Sequence, residues 1–120
     1  MNAGYGLTVR WSLAQAPEGV EQRLREYVVG TSIARFMFQD GLAFKVWRMR
    51  PSEWFEGTYV FDSAHERDLF RKSFEATAAD SPGARIIGSA PEIIEDYEVV
   101  AIAEGPAGFR RGAGPELQPA

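Results

Sequence analysis

Cysteine is absent from the 120 residues, and histidine occurs once, at His65. Without thiols there is no disulfide framework, no thiolate nucleophile and no cysteine metal centre. One imidazole does not make a conventional transition-metal site either. An excess of base is also missing: 13 Lys and Arg stand against 17 Asp and Glu, for a net charge of −4. Phosphate backbones and anionic bilayers select clustered positive charge, so neither nucleic acid nor a membrane is expected as partner. No window approaches about 18 apolar residues, and no basic-then-apolar leader opens the chain. A cytoplasmic protein is the expectation. No G-x-G-x-x-G follows a strand pattern, so no nucleotide cofactor is expected, and nothing else in the sequence points to a cofactor.

What is present is alternation, clearest from Leu42 to Phe61. LAFKVWRMR and WFEGTYVF each read as a half-buried strand, and a short turn at Pro51-Ser52 joins them into a hairpin. On the first strand Leu42, Phe44 and Val46 oppose Ala43, Lys45, Trp47 and Met49; on the second, Phe55, Gly57, Tyr59 and Phe61 oppose Trp54, Glu56, Thr58 and Val60. One face is nearly all apolar. The other mixes large aromatics with Lys45 and Glu56.

Before the hairpin, Tyr5 to Leu13 alternates as a strand, and Pro17 fits the first turn of a helix carrying Val20, Leu24, Tyr27, Val28 and Ile33 inward. Gly30 weakens that helix, and a kink or break near Gly30-Thr31 is expected. After the hairpin, Ser63 and Glu66 form the S-x-x-E signature of a capped helix whose buried stripe is Leu69, Phe70, Phe74 and Thr77, with Arg67, Arg71, Lys72 and Glu75 left wet. Ser81-Pro82-Gly83 stops it. Ala84 to Ala90 suits a short helical turn or a strand, and Ile93 to Ala103 reads as the last strand. One domain over 1–104 and a Gly/Pro-rich tail over 105–120, anchored by Phe109 and Leu117, complete the division.

Strand, helix, strand, strand, helix, strand is the α+β, ferredoxin-like βαββαβ order. It implies a four-stranded antiparallel sheet with both helices on one face. The core is assigned to Leu7, Val9, Trp11, Phe44, Val46, Phe55, Tyr59 and Phe61. The bare face would carry Arg10, Lys45, Trp47, Met49, Trp54, Glu56, Thr58, Val60, Val100 and Ile102. That is more apolar surface than water tolerates as one patch, so a homodimer is expected through it.

The run GLAFKVWRMR…FEGTYVFDSAHERDLF, with its glycine, aromatic-K-V-W strand and G-x-Y-x-F strand leading into an acidic-capped helix, resembles the YdhR-like monooxygenase family. Element order agrees from Leu7 to Ala103, and the specific matches lie mainly in Gly41 to Phe61. The resemblance implies a dimeric α+β barrel and cofactor-independent oxygenation of a small aromatic or phenolic substrate. On that reading Glu56 is the catalytic base, and Arg10, Lys45, Trp47, Trp54 and Thr58 contact substrate. Each has a plainer role open to it. Glu56 can pair with Lys45 or Arg10, and the tryptophans can pack in a dimer interface. The alternative function is a small-molecule-binding dimer without turnover. Haem handling is disfavoured because the one asparagine, Asn2, and His65 do not supply the Asn–Trp–His set of the haem-degrading relatives.

Overall fold

Alternation, not sequence length, fixes where the sheet begins. In the computed structural model, which describes residues 3–109, β1 runs Gly4–Ser12 with Leu7 and Val9 buried and Thr8 and Arg10 on the other side. Helix α1 (Val20–Tyr27) starts later than Pro17 because Gly19 adopts φ 82, a left-handed conformation an α-helix cannot contain. The break expected at Gly30-Thr31 takes the form of a π turn, Val28–Ser32, leading into α2 (Ile33–Phe36). One extra residue per turn re-aims the following segment. Here it brings Ser32 and Phe36 to buried positions.

Strands β2 (Leu42–Arg50) and β3 (Trp54–Phe61) form the hairpin, followed by α3 (Ala64–Thr77), α4 (Pro82–Ile87) and β4 (Ile93–Val99). Ser63 caps α3 as expected: its Oγ accepts from the Glu66 N–H at 3.2 Å. The ambiguous stretch is helical. Ser81 Oγ accepts from the Ala84 N–H, Pro82 occupies the first turn, and Gly88 at φ 89 closes α4. Strand β4 ends four residues before Ala103, leaving Val100 80% exposed. Of the tail, 110–120, with Leu117, lies outside the described residues, as does Asn2. Phe109 rests 6.2 Å from the Phe44 ring.

The sheet order is β2-β3-β1-β4, all neighbours antiparallel, and the helices cover one face. This is the ferredoxin-like topology. The barrel is not: β2 and β4 are edge strands, each paired on one side only among the described residues, and the sheet is open. Four strands with ordinary twist do not close on themselves.

The second correction concerns β2. Arg50 pairs with Trp54, so the connection is Pro51-Ser52-Glu53, three residues and not the two of a Pro51-Ser52 turn. Pro51 leads the turn, Ser52 follows at φ 69, and the Glu53 N–H donates to the Arg50 carbonyl at 2.9 Å. Such a turn has the wrong twist for a two-residue hairpin, so strand pairing starts one residue further out. That one residue inverts β2 relative to β3. Trp47 faces Gly57, Lys45 faces Tyr59 and Arg48 faces Glu56. Lys45, Trp47 and Met49 therefore point to the helices, while Phe44 and Val46 lie on the bare face. This reverses the expected assignment of all five. Arg67 and Arg71, expected in water, instead reach β4. They donate to the carbonyls of Tyr97 and Ile94 and approach Asp96, tying α3 to an edge strand.

The core is aromatic. Phe70 contacts Tyr59 at 5.0 Å and Phe61 at 5.6 Å between centroids, and Phe36 meets Tyr59 and Phe70 nearly edge-on. Edge-to-face and offset contacts at these spacings add about 0.5–1.5 kcal/mol per pair to the burial itself.

Candidate functional site

The inversion of β2 divides the expected site between the two faces of the sheet. Arg10, Trp54, Glu56 and Thr58 stay together on the bare face; Lys45 and Trp47 enter the space beneath the helices.

On the bare face Glu56 is 2% exposed although no helix covers it. Its cover is two arginines. Arg10 Nε donates to Oε2 at 2.8 Å, Arg48 Nε donates to Oε1 at 2.7 Å, and Thr58 Oγ1 donates to Oε1 at 2.9 Å. The Arg10 guanidinium lies 4.1 Å over the Trp54 ring and that of Arg48 5.1 Å from it. Burial alone would raise the Glu56 carboxyl, but the bonds from Arg10, Arg48 and Thr58 prevail and hold it below the ordinary carboxylate range. Of the two pairings open to Glu56 in the sequence, the structure forms that with Arg10 and adds Arg48 from β2. Beside this cluster Tyr97 lies over Gly6, where a Cβ would come within 1.9 Å of its ring, and its hydroxyl meets Thr8 Oγ1 at 2.7 Å.

The helix-covered side holds a cavity of about 530 Å³ between α2, α3, α4 and the sheet. Small-molecule sites typically have volumes of about 300–1,000 Å³ and are lined by aromatics with a few polar groups. Trp11, Phe36, Trp47, Phe55, Tyr59, Phe70 and Phe74 supply the walls. Polar side chains line it as well, among them Ser32, Arg35, Asp40, Glu66 and Asp80. The Trp11 side-chain N–H is buried without a hydrogen bond. The Lys45 amine sits 3.5 Å from the Phe36 ring centre, 4.3 Å from Tyr59 and 4.4 Å from Trp47, and no hydrogen bond or ion pair joins it to another described residue.

Two effects oppose each other at Lys45. Aromatic faces favour the ammonium by about 0.5–2 kcal/mol. Removing an ammonium from water costs several kcal/mol. Desolvation wins: burial, aided by repulsion from Arg35, holds the amine well below the ordinary lysine range. Burial likewise pushes the Tyr59 phenol above its ordinary range.

Trp11, Phe36 and Tyr59 are cavity residues that periodicity assigns to the core or passes over. Core and cavity wall share one apolar pattern, and Trp11, Phe36 and Tyr59 belong to both. His65 is exposed in the first turn of α3. Among the described residues no group of three or more His, Asp or Glu is placed to hold a metal, and no helix is long and apolar enough to cross a membrane.

No family model and no curated protein matches the chain. Solved structures do. A Nitrosomonas europaea protein of unknown function superposes with a TM-score of 0.60 at 22% identity, over 88% of this chain and 96% of that one. A dimeric ferredoxin-like protein from an uncultured marine organism gives 0.51 at 10% identity, over 85% and 90%. A Chloroflexus aurantiacus protein named for antibiotic biosynthesis monooxygenase activity gives 0.43 at 19% identity, over 88% and 100%, an overlap too low to argue from. Identities at this level bear on architecture, not on the chemistry that the YdhR-like resemblance implies. What the chain shares with the first two is the ferredoxin-like fold.

Proposed function

We propose that this protein binds a small planar aromatic molecule bearing an acceptor oxygen in the cavity between sheet and helices. The observation that carries the reading is the Lys45 amine, without a hydrogen-bond or ion-pair partner among the described residues, set among the aromatic walls of a cavity that also presents Ser32, Arg35, Asp40 and Glu66. A buried donor without an acceptor costs about 1–3 kcal/mol, and a ligand oxygen would remove that cost. Trp47 and Lys45 keep their expected role as ligand contacts on this reading. Calorimetric titration with 2-naphthol and with naphthalene tests it. The naphthol is expected to bind about tenfold more tightly, the equivalent of one net hydrogen bond of about 1.4 kcal/mol. Equal affinities, or no binding of either, would remove the reading.

The carboxylate of Glu56 lies on the other face of the sheet from this cavity. An oxygenase with Glu56 as base and Arg10, Trp54 and Thr58 around the substrate would therefore work at the bare face. Oxygen uptake with phenolic substrates separates turnover from binding alone.

The bare face also supports the dimer proposal. Val46 is 41% and Ile93 37% exposed on it, and Val100, Ile102 and Phe109 lie exposed beyond β4. A second copy would cover this surface and further bury Trp54 and the Arg10–Glu56–Arg48 cluster. Sedimentation equilibrium at micromolar concentration should give twice the chain mass. A monomer there would end the proposal without touching the cavity.

A further inference from the structure

We infer that the cavity is a carbonyl-capture site, in which the Lys45 Nζ forms an imine with an aromatic aldehyde or ketone. The inference rests on the cavity reading above and names its ligand class. Two features of the geometry carry it. The amine projects into a cavity large enough for a bicyclic aromatic, and it is held between three aromatic faces at 3.5–4.4 Å. No carboxylate among the described residues forms an ion pair with it, although Asp40, Glu66 and Asp80 line the same cavity.

The chemistry balances without a further reactant. The neutral amine's lone pair attacks the carbonyl carbon, a C–N bond forms, and the C=O π electrons move to oxygen, which is protonated to give a carbinolamine. Loss of that oxygen as water, with the two protons that left nitrogen, forms C=N. The step needs an unprotonated amine, and burial favours that form by holding Lys45 well below the ordinary lysine range. An exposed lysine, with a pKa near 10.4, is about 0.1% or less unprotonated at pH 7.

The chain carries its own control. Its only other lysine, Lys72, is exposed on α3. The full chain at pH 7 is incubated with 2-naphthaldehyde, the imine is reduced with cyanoborohydride to a stable secondary amine, and peptides are mapped by mass. Labelling of Lys45 at least tenfold above Lys72, suppressed by excess 2-naphthol, is the expected result. Lys45→Arg cannot form the imine and should lose the label. Equal labelling of the two lysines, or preference for Lys72, overturns the inference; if 2-naphthol still binds, the cavity reading survives it. If 2-naphthol neither binds nor protects Lys45, the cavity reading fails and the inference falls with it.

Discussion

Glu56→Gln is expected to destabilise the fold by about 3 kcal/mol, read as a fall in denaturation midpoint, while leaving 2-naphthol binding unchanged. The amide keeps the shape but loses the charge that joins Arg10 to Arg48 across three strands. Removing one partner of a buried ion pair costs about 3–5 kcal/mol, because the charge left behind stays desolvated. The low end applies, since the Arg48 side chain is 50% exposed and can turn into water, whereas that of Arg10 is 26% exposed. The pH dependence has a definite sign. The folded-state pKa of Glu56 lies below its unfolded value, so between the two the unfolded chain binds more protons and stability rises with pH. The contribution is complete above the unfolded value of about 4.3 and is lost as pH falls through the lower folded value. The gap between wild type and Glu56→Gln should therefore narrow below pH 4. A gap that stayed constant to pH 2 would mean the carboxylate contributes through shape and not charge.

Lys45→Met should do the reverse, stabilising the fold by about 1–3 kcal/mol at pH 7 while lowering 2-naphthol affinity about tenfold. Methionine fills the space between Phe36, Trp47 and Tyr59 without an amine to desolvate. The folded-state pKa of Lys45 is depressed below an unfolded value near 10.4, so within that window the unfolded chain again binds more protons and wild-type stability rises with pH. The cost of Lys45 is full below the folded pKa and disappears towards pH 10.4. The advantage of Lys45→Met should shrink over the same interval, as followed by chemical denaturation at pH 6, 8 and 10. A stabilised variant that bound 2-naphthol as tightly as wild type would show that the amine is not a ligand contact.

The division of these two residues between opposite faces shows where the sequence stops. Leu7, Val9, Trp11, Phe55, Tyr59 and Phe61 were assignable to the core from alternation alone, because each strand carries its own two-residue period. Ser63 and Glu66 marked a helix start through a bond made within one turn, and the Gly30 break was legible from backbone propensity. Glu56 could be identified as a paired carboxylate, with Arg10 among its partners. All of these are local. What one strand's period cannot state is which of its faces matches which face of its neighbour. That depends on whether the connection after Arg50 has two residues or three, and Ser52, a non-glycine at φ 69, gives no sign of it in the sequence. One residue in that loop sent Lys45 and Trp47 under the helices and brought Arg48 to Glu56. The cavity, its unpaired amine and the open sheet edges likewise exist only once α2, α3 and α4 have settled on the sheet. They arise where packing leaves space or pairing ends, and no residue type encodes either.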